Sequence, residues 1–164
     1  MKGWLVVSAL ALLTVAKTAN ANISVTDGSS TSFDIRGEIQ PECKVANQSS
    51  NQATQLNLQS QEAQAAGSVA IWCNTGQDTA SATYRSDNDG YLVNDDGSRI
   101  AYNLSIESNN SDLNLKSPQT IEQQVGAGFE GDAITRQLSV LPQVTGFESA
   151  GNYRDTIQVT VSYN

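Results

Sequence analysis

The last fourteen residues, "GNYRDTIQVTVSYN", alternate with a period of two. Gly151, Tyr153, Asp155, Ile157, Val159, Val161 and Tyr163 fall on one face, and Asn152, Arg154, Thr156, Gln158, Thr160 and Ser162 on the other. Successive side chains of a strand point to opposite faces, so this pattern predicts a half-buried β-strand over residues 151–164. A strand this regular must find a partner for its backbone groups. It commits the chain to a sheet.

The rest of the chain agrees. "STSFDIRGEI" places Phe33, Ile35, Gly37 and Ile39 on one face, and "GSVAIWCN" is a short apolar run around Trp72. "SATYRS" reads as a strand, and "YLVNDDGSRIAYNLSIE" as two strands about an Asp-Gly turn. "RQLSVLPQV" precedes the terminal strand, with "TGFESAG" as the turn between them. "VANQSSNQATQ" is polar and reads as a loop; "LQSQEAQAAG", rich in Gln and Ala, is the one helical candidate. About seven short strands separated by turn signals predict an all-β sandwich.

The N-terminus sets the expected compartment. Lys2, an apolar run from Trp4 to Ala16 and the small residues Ala19-Asn20-Ala21 have the order of a secretory signal peptide. The run is short for a membrane span. Residues 1–21 are therefore expected to be removed, leaving 143 of the 164 residues, with no membrane insertion afterwards. Removal takes Lys2 and Lys17, so 9 basic residues become 7 against 17 acidic ones, a net charge of −10. Such a surface repels nucleic acid and anionic lipid. Its acidic residues are scattered, as on a solvated surface.

Cys43 and Cys73 are the only cysteines, and an exported chain is expected to join them. Closing a loop of that length is worth roughly 3.7 kcal/mol in the chain-entropy estimate. Two cysteines without a histidine cannot complete a tetrahedral metal site. The absence of histidine also excludes Ser-His-Asp and Cys-His catalysis, and no phosphate-binding loop is present. "SDNDGYLVNDDGS", residues 86–98, has acidic residues at the wrong spacing for an EF-hand and reads as turns. No cofactor and no catalytic residue is expected.

Residues 151–164 resemble the end of the spore coat protein U domain and of the archaic chaperone–usher pilins that share it. The resemblance lies in Gly151, Tyr153, Asp155-Thr156, Val159-Thr160-Val161 and Tyr163, and in "IAYNLSIE" at 100–107, where Ser105 replaces a frequently aromatic position. It implies an incomplete immunoglobulin-like sandwich, residues 42–164, lacking its last strand. The missing strand would leave a groove beside the terminal strand, whose Gly151, Tyr153, Ile157, Val159, Val161 and Tyr163 would face a chaperone or another subunit. Residues 22–41 would be an extension with a donor strand carrying Phe33, Ile35, Gly37 and Ile39. Residue pattern alone leaves open whether that segment is a donor or the domain's own first strand. The resemblance further implies a periplasmic chaperone, an outer-membrane usher and other pilus subunits as partners, on the way to a surface fibre serving adhesion or biofilm formation. A secreted carbohydrate- or calcium-binding sandwich acting as a monomer is the alternative. If the signal reading is right, the exported chain begins at Asn22 by intact mass and is two hydrogens lighter than its reduced form; a native thiol titre near two would remove the disulfide.

Overall fold

The computed structural model describes residues 30, 32–49, 55–107, 112–127 and 133–163, all of them in strands, turns or loops. The signal peptide expected over residues 1–21 lies outside these, as does most of the leader that follows it. The chain divides into a segment ending at Glu38 and a unit of residues 39–164. The described residues of the first segment form no strand, and Phe33 and Ile35 are 81% and 85% exposed.

The second unit is a sandwich of two sheets. The larger contains β1 (Cys43–Asn47), β2 (Gln64–Cys73), β4 (Tyr91–Val93), β5 (Arg99–Ile106) and β9 (Ile134–Gln143), in the order β1-β2-β9-β5-β4. Two short strands extend it: β6 (Asp112–Leu113) pairs with β5, and β8 (Gly126–Ala127) runs parallel to the end of β2. The smaller sheet has the order β10-β3-β7, from β3 (Thr79–Ser86), β7 (Gln119–Gln124) and β10 (Ile157–Ser162). All pairings but that of β8 are antiparallel.

The core follows from strand alternation. Val69, Ile71 and Cys73 of β2, Ile100, Tyr102, Leu104 and Ile106 of β5, and Leu138 and Val140 of β9 point inward from the larger sheet. Ala80, Ala82 and Tyr84 of β3 meet them from the smaller one. Tyr84 is fully buried, and its hydroxyl donates to Gln123 Oε1 at 3.0 Å, which satisfies the polar tip inside an apolar layer. Burial pushes the Tyr84 phenol above its ordinary pKa.

Several turns form as their residues dictate. The Asp-Gly hairpin lies between β4 and β5, with Asn94 Oδ1 accepting the Asp96 and Ser98 amides and Gly97 at φ +83°. Gly90 is a second obligate glycine. At φ +78° it packs so closely on the backbone of Leu115 and Lys116 that a Cβ would sit 3.1 Å from both. Residues 86–98 are thus two turns around β4. In the loop after β9, the Glu148 carboxylate takes the Thr145 and Gly146 amides, and the Thr145 amide bond above all draws its pKa down to about 2.

Three expectations need correction. The helical candidate, residues 58–67, is a turn followed by the start of β2. Gln64 uses its side-chain amide to clasp both backbone groups of Asn57 (2.6 and 2.8 Å), and Ala65 pairs with Ser139 of β9, so tertiary pairing overrides helix propensity. The supposed loop from Val45 begins inside β1. The terminal strand is shorter than its alternation: β10 starts only at Ile157, and Gly151 and Tyr153 lie outside it. Within β10 the pattern holds, with Ile157, Val159 and Val161 half-buried and Gln158, Thr160 and Ser162 exposed.

A charge on the inner face of β10 should therefore be costly. Val159→Asp is expected to destabilise the domain by several kcal/mol, on the order of 3, while Thr160→Lys stays within about 0.5 kcal/mol. Equal shifts of the denaturation midpoint would mean the faces are misassigned.

Candidate groove along the terminal strand

β1 and β10 touch over part of their length, and the sheets part beside Val45 and Asn47 of β1 and Ile157 and Val159 of β10. β1 is the edge of the larger sheet and β10 the edge of the smaller. Among the described residues, no strand pairs with the outer edge of β10. Between them lies a groove of about 800 Å³. Val45, Asn47 and Ser49 form one wall, Ile157 and Val159 the other, and Val69, Leu138 and Val140 lie at its floor with Leu56 and Leu58. Val45 is 39% exposed, and the inward residues of β10 are only half-covered. Apolar side chains directed inward yet wet on one side make this a partly exposed apolar surface of the sandwich.

The groove is bounded at one end by the segment that leads into β10. Here the chain changes sheets. Arg154 exchanges both backbone hydrogen bonds with Val93 of β4, each 3.0 Å, in the larger sheet. Three residues later Ile157 pairs with Ser86 of β3 in the smaller one. Asp155 sits at the crossing. One carboxylate oxygen accepts the Ser86 hydroxyl (2.6 Å) and the Tyr102 hydroxyl (2.5 Å); the other accepts the amides of Asn88 (3.1 Å) and Thr156 (2.8 Å). Ser86 in turn accepts the Gly90 amide at 2.7 Å, which ties in the turn before β4. Burial raises the Tyr102 phenol far above its usual range, and its bond to the Asp155 carboxylate raises it further. By contrast, the Arg154–Asp95 ion pair is exposed and contributes little.

The expected site residues are placed unevenly. Cys43 and Cys73 form the disulfide, across a facing pair of β1 and β2 with Cα atoms 4.1 Å apart. Ile157, Val159 and Val161 pack against the core from β10. Gly151 and Tyr153 line the groove mouth instead, and Tyr153 donates its hydroxyl to the Ser149 carbonyl at 2.6 Å. Tyr163 lies just past the end of β10, half-exposed. Phe33, Ile35, Gly37 and Ile39 lie in no strand, and Ile39 is 75% exposed. Sequence reasoning missed the β1 wall, since only Val45 among Val45, Asn47 and Ser49 is apolar and Ala46 on the opposite face breaks the alternation. It missed Leu56 and Leu58 too, although their spacing of two was a usable signal.

No family model matches the chain, and no curated protein matches it either.

Asp155→Asn replaces an acceptor by an amide that meets the two hydroxyls with a donor on one side. It is expected to cost about 1–3 kcal/mol. It should also let Tyr102 ionise at lower pH than in the unaltered protein, while burial still holds it above an exposed tyrosine. An unchanged denaturation midpoint and an unchanged tyrosinate absorbance titration would remove Asp155 from this role.

Proposed function

We propose that the chain is a structural subunit of a surface fibre, assembled by donor-strand exchange between copies or related subunits. The observation that carries this reading is the apolar groove along the unpaired edge of β10, in a chain that also has an exposed alternating segment at Phe33, Ile35, Gly37 and Ile39. A strand laid on β10 gains a row of backbone hydrogen bonds, and its alternate side chains enter the groove. Burying Phe33, Ile35 and Ile39 contributes roughly 5–9 kcal/mol before ordering costs. Gly37 suits the point of closest backbone approach.

The open edge also explains the partners such a subunit needs. An unpaired strand beside exposed core is prone to pair with the wrong chain. A periplasmic chaperone would cover the groove until an outer-membrane usher exchanges it for the donor of the next subunit. Export to the surface and a role in adhesion or biofilm formation belong to the same reading, which assigns the chain no enzymatic activity.

A protein lacking residues 22–41 is the direct test. Purified with a chaperone, it should fold without polymerising, and a peptide spanning Ser32 to Gln40 should raise its melting temperature, as any ligand of the folded state does. Ile35→Asp in that peptide should abolish the effect, because a carboxylate would enter an apolar groove. If the peptide fails to stabilise a folded domain of this kind, the donor reading is lost.

A further inference from the structure

On the proposed function, each chain carries both a groove and a donor, joined by only the few residues between Ile39 and Val45. A tether so short gives an intrachain donor an effective concentration on the order of millimolar. Insertion into its own groove therefore competes with donation to a neighbour. The outcome turns on residues 40–42.

Strand parity states what self-insertion requires. β1 directs Val45 and Asn47 to the groove, Ser49 lines it just past the end of the strand, and the apolar donor residues are likewise at odd positions. A hairpin on the free edge of β1 sets odd against odd when its loop has an odd number of residues. The loop Gln40-Pro41-Glu42 does so, placing Gly37 against Val45, Ile35 against Asn47 and Phe33 against Ser49. A two-residue loop at Pro41-Glu42 would instead drive Asp34, Arg36 and Glu38 into the groove, which desolvation forbids. Self-insertion thus needs residues 40–42 to turn back.

They are held extended instead. The Asn74 amide donates to the Glu42 carbonyl at 3.0 Å, continuing the β1–β2 ladder one pair beyond the disulfide. The Asn74 side chain then takes over from the backbone: Oδ1 accepts the Glu42 amide at 2.7 Å, and Nδ2 donates to the Gln40 carbonyl at 2.9 Å. Pro41 adds its own constraint by keeping Gln40 out of the helical region that a tight turn would use.

We infer that Asn74 is a positioning residue that keeps the N-terminal donor out of its own groove and so directs it to the groove of a second copy; this rests on the donor-strand reading of residues 33–39. Specificity of this kind is achieved against the competing partner as much as for the right one.

The test compares the exported full-length chain with its Asn74→Ala and Asn74→Asp variants. Asn74→Asp keeps the acceptor for Glu42 and loses only the donor to Gln40, so it serves if the alanine variant fails to fold. Polymer is scored as ladders on native gels. Self-insertion is scored separately, as an intrachain crosslink in chains carrying Ile35→Cys with Asn47→Cys. The unaltered chain is expected to form ladders and no intrachain crosslink. Both variants should raise the monomer-to-polymer ratio, by about tenfold for alanine, the equivalent of one to two hydrogen bonds, and the crosslink should appear. Ladders undiminished in both variants, or a crosslink already present with Asn74 intact, would overturn the role of Asn74 and leave the donor reading standing. Absence of ladders from the unaltered chain would instead overturn the donor reading itself, and this inference with it.

Discussion

The Asp155 carboxylate is the point on which the terminal strand depends. The chain must leave the larger sheet at Arg154 and enter the smaller one by Ile157, and between them only part of the backbone keeps a ladder bond, the Thr156 carbonyl accepting the Asp87 amide at 3.0 Å. Backbone groups at such a crossing lose their regular partners. Asp155 substitutes for them by gathering donors from β3, β5, the turn after β3 and its own neighbour. Charge-assisted bonds to a carboxylate are among the stronger hydrogen bonds, and here they join both sheets. Among the described residues β10 has a ladder partner on one side only, so its position rests on β3, on the packing of Ile157, Val159 and Val161 against the core, and on this carboxylate.

The groove is the consequence of an imbalance between the sheets. Three strands face a larger sheet with five in its main order, and the smaller sheet stops at β10. The two walls touch over part of their length, and each is also fixed from outside the groove. The disulfide and the Asn74 clasp fix β1 to β2, while Asp155 and the β3 pairing fix β10. Both walls are thus anchored by bonds that do not cross the groove.

Much of the fold was legible because exposure alternates wherever a strand has one wet face. β3, β5 and β10 each carry that alternation in their residues, and the Asp-Gly turn between β4 and β5 names its own geometry. β7 was not legible. Its QTIEQQ sequence has one aliphatic side chain, and its place in the sheet comes from pairing with β3. β1 was hidden for a related reason: an edge strand beside an open groove buries so little that selection for apolar residues leaves no pattern. The short terminal strand shows the converse. Gly151 to Asp155 continue the alternation of β10 in sequence, yet they lie outside it, and Arg154 bridges to Val93 of the other sheet.

Sequence alone determined the class of architecture, the disulfide and the inward face of β10, since each follows from side-chain period or from cysteine count. Tertiary structure decided where the chain changes sheets, which strands are edges, and that a groove lies between β1 and β10. Those properties depend on how many strands each sheet finds and on contacts between residues far apart, such as Asp155 with Tyr102 and Asn74 with Gln40. Local pattern carries no record of such distant partners, because a hydrogen bond fixes the position of both ends without constraining the residues between them.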